Sequence, residues 1–127
     1  AWSVGRFVRR LHDAGVYHAD LKAGNLLARP SGPAAEGRGG EAAPLELFAL
    51  DLDRISTYAG RVPRTRALYN LAQLNAAPAP PVTRTDRLRG FFAYAARDRE
   101  WRRGWKPLVR EIMRRTVARR HRWPGGP

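Results

Sequence analysis

The eight residues His18-Ala19-Asp20-Leu21-Lys22-Ala23-Gly24-Asn25 constrain this chain more than any other stretch. They read H-x-D-x-K-x-x-N, a spacing that suits phosphoryl transfer. The aspartate takes the proton of an attacking hydroxyl, the lysine steadies the moving phosphoryl group, and the asparagine holds a metal ion. A motif this short needs context. An amphipathic stretch leads into it, the apolar run Leu26-Leu27-Ala28 follows, and a second apolar run ends in Leu50-Asp51-Leu52-Asp53. Scarcity adds weight. Of 24 basic residues only Lys22 and Lys106 are lysines, and a compact ammonium on a flexible stem suits a moving phosphate better than a rigid guanidinium fork. Asparagine (Asn25, Asn70, Asn75) and histidine (His12, His18, His121) are nearly as rare.

The periodicity around the motif is mainly helical. Val4, Phe7, Val8 and Leu11 recur at i, i+3, i+4, i+7, with Arg6, Arg9 and Arg10 opposite, and Ala14-Gly15 offers a left-handed cap. His12 and Asp13 are expected at the surface or in capping. After Leu26-Leu27-Ala28, residues 29–44 are rich in Gly, Pro, Ala, Ser and Glu and read as a flexible insertion. Leu45 to Leu50 has strand character, and a hairpin of the two short strands would bring Asn25 and Asp51 to one cation. The remainder, 67–120, is expected to be helical. A helix over Ala67–Leu74 turns Leu68, Leu71 and Leu74 inward, a helix from Arg87 is capped by Thr85-Asp86, and a last helix runs from Pro107 to Arg120 with Arg110, Arg114, Arg115 and Arg119 on its outer face. Residues 124–127 are expected to fray. The fold class that results is mainly α with a short β-hairpin, an α+β arrangement.

The runs LHDAGVYHADLKAGNLLA, LFALDLDRI and ALYNLAQLN resemble the Kdo/WaaP-type lipopolysaccharide kinases, a branch of the protein-kinase-like fold. The resemblance covers most of Val4 to about Arg120, and only the C-terminal lobe of the family. It implies ATP and Mg²⁺ as cofactors, Asp20 and Lys22 as catalytic residues, and Asn25 and Asp51 as metal ligands within a metal-binding segment 51–53. His18 would be structural, bracing the backbone between the catalytic loop 18–25 and that segment. Asp53 stands where many kinases have glycine; it pairs with Arg54 or a loop arginine, or assists the metal, and the sequence leaves these open. The basic segment after it carries no A-P-E motif, which argues for a small or carbohydrate acceptor received by Arg61, Arg64 and Arg66.

At 127 residues the chain offers one domain's core, while a kinase-like fold has two lobes. The expectation is therefore a C-lobe over 1–123 without its N-lobe, inactive by itself. There is no cysteine and no apolar run long enough to cross a bilayer. The net charge of +13 favours anionic partners: a lipopolysaccharide core or other anionic sugar as substrate, and peripheral contact with an anionic membrane surface from the cytoplasmic side. Rival readings are another small-molecule or protein phosphotransferase, an inactive module, and a nucleic-acid binder stacking bases on Trp101, Trp105 and Trp123. The last is disfavoured because it leaves Asp20, Asn25 and Asp51 without a role.

Overall fold

A computed structural model describes residues 1–32, 44–76 and 82–119. Its first helix, α1 (Trp2–Asp13), runs longer than the apolar periodicity marks and is turned about its axis. Gly5, Val8, Arg9 and His12 form the buried face, so Arg9 and His12, expected on the outside, lie inside. Arg9 is held there by Asp13 (2.9 Å) and Asp98 (3.2 Å), which supply the opposite charge a buried guanidinium requires. The helix stops at Gly15, whose φ of +77° is open to glycine at no steric cost. A Cβ there would lie 2.4 Å from the Tyr58 carbonyl oxygen.

Four short strands follow, in two antiparallel pairs. Strand β1 (Val16–His18) pairs with β4 (Ile55–Thr57), and β2 (Leu26–Pro30) pairs with β3 (Leu45–Ala49). The hairpin of β2 and β3 matches expectation, with Leu27 opposite Phe48 and Arg29 opposite Glu46. Arg29 and Pro30 belong to this ladder rather than to the insertion, whose residues 33–43 lie outside the described part. Pairing β1 with β4 was not expected, because three-residue strands carry no readable alternation. Its consequence is topological. The turn between β1 and β2 and the turn between β3 and β4 are drawn to the same place.

Helices make up the rest: α2 (Arg64–Ala76), α3 (Arg84–Ala95), α4 (Arg99–Arg103) and α5 (Trp105–Ala118). Helix α3 starts earlier than expected, since Thr83 and Asp86 form a reciprocal capping box that Thr85 does not join. Asp98 caps α4 by accepting from the Glu100 and Trp101 amides. The core is a single cluster that includes Val8, Tyr17, Leu21, Leu68, Phe91, Tyr94, Trp101, Leu108 and Ile112. Trp101 packs there against Tyr94, ring centroids 5.0 Å apart, and Trp105 packs against Phe92. Trp101 is buried and so offers no free stacking face of the kind a base-binding surface would need. Trp123 and the 124–127 tail lie outside the described residues.

Candidate active site

The two strand pairs place residues 19–25 beside residues 50–54. Two backbone bonds join them, Ala19 N–H to the Arg54 carbonyl (2.8 Å) and Leu50 N–H to the Asn25 carbonyl (2.8 Å). His18, fully buried, adds a third link through its ring. Its Nδ1 accepts from the Asp20 amide (3.1 Å), and its Nε2 donates to the Leu50 carbonyl (2.7 Å). One imidazole thereby ties the backbone of Asp20 to the residue before Asp51.

Asp20 carries its carboxylate at the mouth of this turn. The Lys22 ammonium lies 2.7 Å from Oδ2, and Asn25 Nδ2 donates to the Asp20 carbonyl (2.8 Å) and to Oδ2 (3.3 Å). The Lys22 hydrogen bond, with a smaller contribution from Asn25, holds the Asp20 carboxyl below the usual carboxylate range. Oδ1 has no partner among the described residues and is available to a hydroxyl proton. Because the Asn25 amide nitrogen is turned to Asp20, its carbonyl oxygen is left for a cation.

Asp51 adopts the left-handed conformation (φ 64°, ψ 58°), the one non-glycine described residue with positive φ. Aspartate tolerates that region better than most side chains. The Asp51 and Asp53 carboxyls act on each other, which drives Asp51 up and holds Asp53 down, with Arg54 pulling both downward more weakly. Two exposed carboxyls on one turn are hard-oxygen donors of the kind that Mg²⁺ takes. The residue types present therefore fit a magnesium ion. Among the described residues, no group of three or more His, Cys, Asp or Glu could hold a metal by itself.

The expected acceptor arginines do not converge on this turn. Arg61 pairs with Asp13 (3.0 Å) and Asp98 (3.3 Å), and Arg64 pairs with Glu100 (2.5 Å). Arg66 lies over the Tyr17 ring at 5.3 Å. On α5, Arg114 and Arg115 share Glu111, whose carboxyl they hold down to about 2, and Arg119 donates to the Tyr69 hydroxyl (2.7 Å). Arg61, Arg64, Arg66, Arg114, Arg115 and Arg119 thus have partners within the fold. No described helix is long and apolar enough to cross a membrane.

Two groups of residues near this turn had no role assigned from the sequence. Asn70 and Gln73 of α2, both buried, reach the turn around Asp20: Asn70 Nδ2 donates to the His18 carbonyl (2.7 Å) and Gln73 Nε2 to the Ala19 carbonyl (2.7 Å). The available signal was a polar pair at i, i+3 interrupting an inward leucine stripe. Leu27 and Phe48, opposed on the hairpin, remain 51% and 37% exposed next to Asn25. That apolar pair could be found only once the strand register was known.

Residues 2–94 match the model of the lipopolysaccharide kinase (Kdo/WaaP) family. Among solved structures, the chain is similar to one described as WaaP in complex with acyl carrier protein, at a TM-score of 0.70 and 27% identity. The likeness covers 92% of this chain and 46% of that one, so the chain spans about half the length of the solved protein. No curated protein matches.

Proposed function

The chain belongs to the lipopolysaccharide kinase (Kdo/WaaP) family, and on that premise we propose that it carries the catalytic loop of an ATP-dependent phosphotransferase acting on a sugar hydroxyl, Kdo or heptose, of the lipopolysaccharide inner core. The family and the kinase-like fold, in its mainly helical half, frame the reading. The observation that carries it is the Asp20 carboxylate, gripped on Oδ2 by Lys22 and Asn25 with Oδ1 left for a substrate proton. In the proposed step the acceptor oxygen forms a bond to the γ-phosphorus, the bond from that phosphorus to the β-bridging oxygen breaks, and ADP leaves. Asp20 orients the attacking hydroxyl and takes its proton. Lys22, half-exposed on a flexible stem, follows the transferring group. Magnesium brought with ATP would supply neutralising charge to the phosphates, held by the Asn25 amide oxygen and the Asp51 carboxylate, with Asp53 beside them. Leu27, half-exposed on β2, offers an apolar contact for the nucleotide base.

The test uses the chain with and without any upstream coding sequence that its gene carries. Each form is incubated with γ-labelled ATP, Mg²⁺ and a deacylated inner-core oligosaccharide. Label on a core sugar is the expected result in the form able to bind nucleotide. Nucleotide binding without label on the core, and with label on a protein or another small molecule, would move the assignment to the rival phosphotransferases.

A further inference from the structure

Between His18 and Ala23 the backbone belongs to neither strand nor helix, so no ladder fixes Asp20. Its neighbours are held by side chains instead. Gln73 Nε2 donates to the Ala19 carbonyl (2.7 Å), and Gln73 Oε1 accepts from the Leu21 amide (3.2 Å) and from Asn70 Nδ2 (2.8 Å). The other Asn70 N–H goes to the His18 carbonyl (2.7 Å). Both amide orientations are forced, because turning either one would set oxygen against oxygen and N–H against N–H.

The polarity propagates. Both Asn70 N–H groups are engaged, so Oδ1 must accept, and His12 Nε2 donates to it (3.0 Å). Burial, aided by the Arg9 charge, favours the neutral imidazole at His12. Its Nδ1 then accepts from the Tyr94 hydroxyl (2.8 Å). A directional chain therefore runs from α3 through α1 and α2 to three backbone groups that flank Asp20. Its four side chains, Tyr94, His12, Asn70 and Gln73, are buried, where such bonds are strong and a missing partner is costly.

We propose that Asn70 and Gln73 are positioning residues of the site, fixing the backbone on both sides of Asp20 from α2, with Tyr94 and His12 orienting Asn70 in turn. The proposal rests on Asp20 being the reacting carboxylate, but its test does not use activity. Gln73→Met keeps the volume and removes donor and acceptor together. Asn70→Asp keeps the shape and replaces the donor group by an acceptor facing the His18 carbonyl. Thr116→Val, which removes the hydrogen bonds of the Thr116 hydroxyl with Asn75 and the Ala72 carbonyl between α2 and α5, is the control for general destabilisation. In NMR hydrogen exchange on the whole chain, loop amides, Leu21 above all, should exchange about tenfold faster in Gln73→Met than in Thr116→Val under conditions matched for distance from the melting temperature. The Asp20 ¹³Cγ resonance should move in both loop variants and stay in place in the control. Equal exchange in Gln73→Met and Thr116→Val, or an unmoved Asp20 resonance, would overturn the proposal. So would failure of both loop variants to fold, which would make these amides determinants of the fold rather than of the loop. A positive result beside a nucleotide-binding form of the chain that transfers no phosphate to any acceptor would keep the positioning and remove the phosphotransferase reading.

Discussion

Replacing His18 by leucine tests whether its ring couples the two halves of the site. The side chain is fully buried, and leucine is close to it in volume, so no cavity is left behind. What is lost is one acceptor for the Asp20 amide and one donor to the Leu50 carbonyl. A buried polar group left without its partner costs about 1–3 kcal/mol. Both orphaned groups lie in partly exposed turns that water can reach, which places each near the lower end of that range and their sum at about 2 kcal/mol. With a urea m-value of about 2 kcal/mol/M for a domain of this size, the unfolding midpoint should fall by roughly 1 M at unchanged m. His18→Gln carries an acceptor and a donor on one amide and should recover about half of that loss. A midpoint shift below about 0.25 M for His18→Leu, or a glutamine variant no better than leucine, would refute the bridging role.

Acid stability should report on His12. Its folded pKa lies below the ordinary value because of burial, so below about pH 6.5 the unfolded chain takes up a proton that the native chain refuses. Stability from His12 is therefore present above that pH and declines on acidification, by at most about 1.4 kcal/mol per pH unit, until the folded pKa is reached. Urea titrations at pH 7.5 and 5.5 should show the gap between wild type and His12→Gln narrowing, and a constant gap would contradict it. Mn²⁺ added with nucleotide should broaden the NMR signals of Asn25 and Asp51 together. Broadening that misses both residues while reaching Glu46 or Glu100 would remove the ligand assignment.

The motif of the catalytic turn and the β2–β3 hairpin were readable because each has a local signature: H-x-D-x-K-x-x-N in one case, two apolar runs around a polar insertion in the other. The orientation of α1 was not. Its apolar residues describe a helix, but the helix turns to seat Gly5 against Gly90, where a Cβ would lie 2.1 Å from the carbonyl oxygen, and to bury Arg9 against two carboxylates. Periodicity cannot foresee a buried cation whose partner Asp98 lies 89 residues away in sequence. Asn70 and Gln73 escaped for the same reason. A polar residue in a helix reads as solvent-facing until a backbone turn without a ladder is found to need donors there. Arg61, Arg64 and Arg66 were readable as cations near the site, yet their carboxylate and aromatic partners arrive only with the packing of α2 and α4.

The most direct test of the account sets Asp20→Asn against Asp51→Asn in whichever form of the chain binds nucleotide and transfers phosphate. Nucleotide affinity and label transfer to the core acceptor are measured side by side in the presence of Mg²⁺. Asparagine at position 20 removes the proton acceptor and leaves Asn25 and Asp51 in place, so binding should persist while transfer falls by at least about a hundredfold. Asparagine at position 51 weakens the hold on the metal and should lower both quantities together. An Asp20→Asn variant that transfers phosphate at close to the wild-type rate would contradict the account at its centre.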